Sequence, residues 1–464
     1  MPPPLHLPDH FETELNAYIQ DQIEELVQNL FELVSIPSIS KLPEHAEDCQ
    51  RVLEAVAKMA AKFGFSYKIT QTQGLPVFTA WLEQNPEAPW ITIYNHMDVQ
   101  PADEPQWESS PFEPLLKDER IYGRGSTDDK GPALTTLYAI AFLKEKGYPL
   151  PNIQLIYETE EENGSKHFGQ FLDKMQTELK TPRSILVSDT IFEGDHPALT
   201  YRLRGLLQAE AELISGSQDQ HSGMVGGVVE NPLNLLVKAL ATCVDESGTV
   251  TIPDVTAPVL NAEEQAALEK TAAVFNLERL HLDTHGSRFY TEDTREIIER
   301  IWCRPTFEIH GFEGIQTTPG MIKSALPYHV KAKLTLRLMA EQDPNQVLKA
   351  LEKHLQASHP DIQVHDRGQL RGCKSDLDSP AMQTAAAACE FGFGKSPLIV
   401  GSGGSIGALP EFQRIFPNSP LVLIAQSLMS DHYHGPNENF RMSQIRNGIR
   451  TMAAYLYGLG AGSE

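Results

Sequence analysis

Ile91-Thr-Ile-Tyr94-Asn-His96-Met-Asp98 opens the succession of runs that decides the fold. Its first four residues suit a strand, and the polar groups come only where that strand must end. A loop follows, residues 133–146 read as a helix, and Ile153-Gln-Leu-Ile-Tyr157 is again strand-like. Residues 167–179 are helical by pattern and lead to Ile185-Leu-Val187. Strands alternating with helices predict an α/β sheet with parallel pairs. Upstream, Leu15, Ile19, Ile23, Leu26, Leu30 and Leu33 recur at helical spacing and predict an amphipathic helix ending before Ile36-Pro37. A second helix, residues 48–63, closes at Gly64.

From about Arg202 the texture changes. Leu206 to Ile214 alternates as a half-buried strand, residues 231–244 read as a helix, and Phe307-Glu-Ile-His310 as a strand. Val330 to Leu338 alternates strictly, residues 344–355 are helical, and residues 362–365 form a short strand. Strand, helix, two strands, helix, strand predicts a ferredoxin-like α+β domain inserted into the first. Residues 253–304 are mostly helical by composition and have no place in that order. The α/β pattern resumes near Ser379, with a helix to Phe391, the strand Leu421-Val-Leu-Ile424 and a closing helix after Ser443. The expected division is residues 1–201 with 377–464 for the outer domain and 202–376 for the insert.

A chain of 464 residues exceeds one comfortable core, in keeping with two domains. The net charge of −24 argues against binding a nucleic-acid backbone, which needs basic patches. Five scattered cysteines, without a Cys-x-x-Cys pair, predict reduced thiols in a cytoplasmic setting. The opening Met1-Pro-Pro-Pro-Leu-His lacks a basic segment followed by an apolar one, which predicts no signal peptide. No apolar run is long enough to span a bilayer, so no membrane association is expected.

Chemistry-bearing groups recur after the candidate strands. They are Asn95-His96-Met97-Asp98; Gly123-Arg-Gly-Ser-Thr-Asp128-Asp129-Lys-Gly131; Glu160-Glu161-Glu162-Asn-Gly-Ser165; Ser188-Asp189; and Asp431-His432-Tyr433-His434-Gly-Pro-Asn-Glu438. In extended chain residues two apart share a face, so His96 and Asp98 point the same way. Taken singly each has a bland reading: a surface pair, a solvated acidic face, or a helix N-cap. Gly-Arg-Gly-Ser lacks the Lys-Ser/Thr ending of a phosphate loop. Five carboxylate- or imidazole-bearing loops, four of them directly beyond candidate strands, instead fit a metal site, because divalent ions take these ligands from rigidly held strand ends.

As an ordered set, Asn95–Pro101, Tyr122–Gly131, Glu161–Ser165, Ser188-Asp189 and His434–Glu438 resemble the co-catalytic dizinc peptidases. That group includes acetylornithine deacetylase, succinyl-diaminopimelate desuccinylase, aminoacylase and carnosinase-like cytosolic dipeptidases. Leu199–Gly205, Gln220–Gly227 and Lys323–Pro327 make the chain most similar to the carnosinase-like members. The resemblance implies a phosphorylase/aminopeptidase-like catalytic domain and an inserted lid and dimerisation domain. It implies two divalent ions, zinc or with the same ligand set manganese. His96 and Asp189 would hold one ion and Glu162 and His434 the other, with Asp128 bridging. Asp98 would orient His96, and the peptide bond after Asp128 would be cis. Glu161 would act as general base on the water between the metals and return the proton to the leaving amine. His221 would donate to the oxyanion across the interface of a homodimer. Arg337 would grip the C-terminal carboxylate of a dipeptide or short peptide, with Ser324, Gly404 and Ser405 adding hydrogen bonds.

Two departures and three rivals accompany that reading. Where relatives carry Arg-Glu before Gly-Gly-Ser-Ile, this chain has Val400-Gly-Ser-Gly-Gly-Ser405-Ile. His432 and His434 both offer an imidazole, and only the following Gly-Pro-Asn-Glu singles out the second. Gly403-Gly-Ser405-Ile-Gly407 matches a serine-hydrolase elbow, with Asp431 and His434 downstream, but it leaves His96, Asp128, Glu162 and Asp189 without a task. An N-acyl-amino-acid deacylase would use the same dimetal site. A non-catalytic peptide-binding scaffold would have no need of Glu161.

Overall fold

A computed structural model of the protein describes residues 5–316 and 319–462. Met1-Pro-Pro-Pro4, on which the signal-peptide expectation rests, lies outside them. The chain divides into two compact units: Met1–Tyr201 with Ser375–Val400 and Ile406–Glu464, and Arg202–Lys374 with Gly401–Ser405. Among the described residues no helix is long and apolar enough to cross a membrane.

In the first unit the sheet runs Ser66–Thr70, Val77–Leu82, Asn152–Glu158, Trp90–His96, Pro182–Val187, Leu421–Ile424, then Ala198–Leu203. Trp90–His96 is parallel to both neighbours, and Leu421–Ile424 is parallel to Pro182–Val187. These four strands are the apolar runs legible in the sequence, since a parallel strand covered on both faces has no polar side to show. The antiparallel hairpin of Ser66–Thr70 with Val77–Leu82 extends one edge and was not anticipated. Gly131–Lys146 is buried around its whole circumference from Gly131 to Leu143, packed beside Phe11–Val34 and Met442–Ala461. A helix apolar all round is a core helix. It holds the Ser126–Lys130 turn at its N-terminus against the sheet.

The second unit has its own sheet, ordered Thr306–Glu313, His329–Leu338, Gly205–Ile214, Gln363–Leu370, antiparallel throughout. Gly205–Ile214 and His329–Leu338 alternate in burial, and helices Pro232–Leu240 and Pro344–Gln356 cover the apolar face. The 253–304 stretch forms three helices, Ala262–Ala272, Leu277–Asp283 and Thr294–Cys303.

Some predicted ends move. The 167–179 helix is Phe168–Met175, continued by turns in which the amides of Glu178 and Leu179 both bond the Met175 carbonyl. The 231–244 helix stops at Leu240, because an Asp245–Thr249 turn with Gly248 at φ 74° brings Val250 beside Val244. The strand expected at 362–365 runs on to Leu370.

Candidate metal centre

The chemistry-bearing side chains of the first unit collect beyond the carboxyl ends of its parallel strands, the usual place for a site in an open α/β sheet. His96 ends Trp90–His96, Asp189 follows Val187, and Glu161 and Glu162 lie in the single 3-10 turn Glu161–Asn163 after Glu158. Two triads result. His96, Glu161 and Asp189 have ligand atoms all within 4.8 Å of one another, and so do Asp128, Glu162 and His434.

Asp128 touches both groups. Its Oδ1 lies 3.0 Å from His96 Nε2 and its Oδ2 2.8 Å from His434 Nε2. His434 Nε2 is also 3.3 Å from Glu162 Oε1, and His96 Nε2 is 3.8 Å from Asp189 Oδ2. The Asp128–Asp129 peptide bond is cis. His432 turns away, its Nδ1 2.9 Å from the Pro436 carbonyl. Of the two neighbouring imidazoles, His434 is therefore the one among the carboxylates.

Asp98 does more than the sequence suggests. Its Oδ1 accepts the Glu161 amide at 3.2 Å and its Oδ2 the Glu162 amide at 3.0 Å, which pins the turn carrying both glutamates. His96 Nδ1 is 3.0 Å from the Asp98 backbone carbonyl and 3.5 Å from its carboxylate. The carbonyl is thus the nearer partner fixing the imidazole, the kind of contact that sets which nitrogen faces a metal.

Several positioning residues escape sequence reasoning. The Tyr433 hydroxyl donates to Asp189, and the Gln100 amide donates to Glu162. Asn95 Nδ2 donates to both Asp129 and Ser188 at 2.7 Å. Glu438 Oε1 accepts the amides of Gly125, Thr127 and Asp128 at 3.0–3.2 Å, while its Oε2 pairs with Arg124 at 2.8 Å. Lys130 Nζ donates to the carbonyls of Leu33 and Ile36 at 2.9 and 3.0 Å. Together Glu438 and Lys130 hold the turn that presents Asp128. Glu438 was visible only as the end of the His434-Gly-Pro-Asn-Glu motif.

The electrostatics fit bound cations. Asp98, Asp128, Glu161, Glu162 and Asp189 converge here, and among the described residues none forms an ion pair with Lys or Arg. Five carboxylates answered by only two imidazoles are costly to group together unless further cations join them. Burial pushes the Glu161 carboxyl well above the usual range, and the neighbouring Asp189, Glu162 and Asp98 add to it while His96 opposes. Burial, with Asp128 and Glu162 beside it, likewise lifts Asp189 to about 6 against the pull of His96. Burial disfavours a charged His434, yet its hydrogen bonds to Asp128 and Glu162 raise it to about 11. A divalent ion competes with those protons for the same lone pairs, so binding it would release them. Two imidazoles with clustered carboxylates suit zinc or manganese.

In the second unit His221 is exposed on the Gln220–His221 strand paired to Ala325–Leu326, its Nδ1 accepting the Gly223 amide at 3.1 Å. Ser324 adjoins it through its carbonyl, which accepts Ser222 N at 3.0 Å. Arg337 is half-buried, with Nη1 3.3 Å from Ser405 Oγ, and the Gly404 carbonyl accepts Arg204 N at 3.1 Å. The serine-hydrolase pattern finds no support. Ser405 Oγ donates to the Arg204 carbonyl, and Asp431 accepts Leu428 N and Arg441 Nε rather than His434.

Comparison with known proteins places this arrangement. Human Beta-Ala-His dipeptidase is 29% identical over 477 residues, covering 98% of this chain and 93% of the relative. The Cys-Gly metallodipeptidase DUG1 of Saccharomyces cerevisiae is 29% identical over 82% of this chain and 81% of its own. Among solved structures, human carnosine dipeptidase 1 superposes with a TM-score of 0.78 at 28% identity, covering 99% of this chain and 100% of that one. A metallo-carboxypeptidase, Sso-CP2 of Sulfolobus solfataricus, gives 0.83 at 27% identity over 94% and 99%. The model of peptidase family M20/M25/M40 matches residues 92–458, a span that takes in both triads, and the chain belongs to that family.

Proposed function

We propose that this protein is a cytoplasmic, two-metal dipeptidase that hydrolyses the peptide bond of dipeptides or short peptides bearing a free C-terminal carboxylate. The observation that carries the reading is the pair of ligand triads with Asp128 reaching both. The dipeptidase names of full-length relatives support the substrate class. That all five cysteines are buried suits a reducing compartment.

In this reading His96 and Asp189 hold one ion, Glu162 and His434 the other, and Asp128 both. Zinc is the expected metal and manganese the alternative. Bound there, the ions supply Lewis acidity that polarises a carbonyl and acidifies water. Glu161 receives the water's proton and delivers it to the leaving amine, a role that suits a carboxyl raised by burial well above its usual range. Asp98 keeps Glu161 and Glu162 in their relative positions. The second unit acts as a ferredoxin-like lid and dimerisation domain. Its His221 donates to the oxyanion in a partner's site, and Arg337, with Ser324, Gly404 and Ser405, receives the substrate's carboxylate.

The deciding experiment incubates purified protein with dipeptides and with N-acyl amino acids, adding zinc or manganese after chelation. Dipeptide hydrolysis lost to chelator and restored by metal is expected. Faster cleavage of the N-acyl panel would replace the dipeptidase reading with a deacylase. Two variants test the second unit. Arg337→Ala should raise KM about ten- to a hundredfold for free-carboxylate substrates, the value of a charge-assisted contact. C-terminally amidated substrates should not share that loss, and an equal effect on both would remove the assignment. His221→Ala should cut kcat by about 10²–10³, as for an oxyanion donor, in a chain with an unchanged circular-dichroism spectrum. Near-normal kcat would exclude the role.

A further inference from the structure

The second unit holds a second arginine that, among the described residues, has no carboxylate within ion-pair distance. Arg204 lies beside the uncharged loop Gly401-Ser-Gly-Gly-Ser405, donating through Nε to the Gly403 carbonyl at 3.3 Å and through Nη1 to the Arg300 carbonyl at 3.5 Å. These contacts use two of five guanidinium donors. Among the described residues no carboxylate pairs with Arg204 or Arg337. Glu308 is felt by Arg204 only at longer range. Two other arginines of this unit are different: Arg300 and Arg304 are both paired with Glu296.

Arg204 and Arg337 flank the same turn. Arg337 Nη1 reaches Ser405 Oγ, and that hydroxyl donates to the backbone carbonyl of Arg204. A Cβ at Gly403 would stand 2.8 Å from Arg204 Nη2, so the glycine keeps this side of the guanidinium clear. At Gly404 the only atom near such a Cβ, among the described residues, is Ser402 Oγ at 3.4 Å, so the turn is open there. Burial, reinforced by Arg337, lowers Arg204 to about 10. Two partly buried like charges on one turn, both unpaired, are unfavourable by themselves and favour an anionic ligand.

We propose that Arg204 and Arg337 form a receiver for two carboxylates, so that the preferred substrates are short peptides ending in Asp or Glu. Arg337 takes the α-carboxylate and Arg204 the side-chain carboxylate of the same residue. The inference rests on the dipeptidase reading above and narrows its substrate class.

The test compares Ala-Glu with the isosteric Ala-Gln, and Ala-Ala with both, using the metal-loaded protein. The expected kcat/KM for Ala-Glu exceeds that for Ala-Gln by at least about tenfold, mainly through KM, as for a charge-assisted pair. High salt should shrink the ratio. Arg204→Gln should bring the ratio close to one. A measurement needing no variant accompanies it: free glutamate should inhibit Ala-Ala hydrolysis at about tenfold lower concentration than glutamine. Cleavage of all three peptides with no preference for Ala-Glu would overturn the receiver and leave the dipeptidase standing. A folded Arg204→Gln that keeps the preference would also overturn it. Failure to cleave any peptide with either metal would remove the activity and this inference together.

Discussion

Replacing Glu161 by Gln is expected to lower kcat by about 10²–10⁴-fold while both ions stay bound. Glutamine matches glutamate in size and leaves the backbone bond from residue 161 to Asp98 intact, so the turn holding Glu162 survives. What disappears is a basic oxygen. Burial, with Asp189, Glu162 and Asp98 beside it, raises the Glu161 carboxyl well above the usual carboxylate range, which favours its taking up a proton. An amide cannot take one up. The variant also separates two roles that the geometry brings close, because Glu161 shares a triad with His96 and Asp189. Unchanged metal content by elemental analysis, with turnover nearly gone, marks a proton carrier. Loss of one ion per chain would make Glu161 a ligand, and activity within about tenfold of normal would end its proposed part in proton transfer.

The order of strands and loops in the first unit is legible because its central strands are covered on both faces. Ile91–Tyr94, Ile153–Tyr157, Ile185–Val187 and Leu421–Ile424 stand out as apolar runs, and whatever follows each must sit at the same sheet end when the strands are parallel. Hence the loops that bear His96, Glu162, Asp189 and His434 could be grouped across more than three hundred residues of sequence, while the choice of those four side chains came from the family resemblance. The Val77–Leu82 strand is just as apolar, but no candidate ligand directly follows it, so no chemistry drew attention to it. Tyr433 and Gln100 escape for another reason. Neither residue type suggests metal chemistry, and each acts by touching a carboxylate far away in sequence. Asp98 lies between these cases: its face is predictable from strand periodicity, whereas its grip on two amides near residue 161 depends on how a distant turn is placed. Arg204 is visible as a residue and silent as a charge until Gly403 and Ser405 are folded against it.

Asp128→Asn should have the largest effect of all. The substitution keeps the shape of the side chain and removes the one charge shared by both triads, whose oxygens lie 3.0 Å from His96 and 2.8 Å from His434. A neutral amide is a poor ligand for either ion, and its nitrogen has no lone pair to offer. Glu438 and Lys130 bind the surrounding backbone rather than the Asp128 side chain, so the turn itself should persist. The expected result is a folded protein that retains less than one ion per chain after dialysis. Its kcat/KM should fall by at least about 10³, since the Lewis-acid contribution is several kcal/mol and each 1.36 kcal/mol is tenfold. His434→Ala should instead strip one triad and spare the His96 group, leaving about one ion. The contrast between the two variants carries the argument: a carboxylate serving only one ion would lose one, like the histidine. Equal losses from both variants would place Asp128 in a single site and dissolve the paired arrangement.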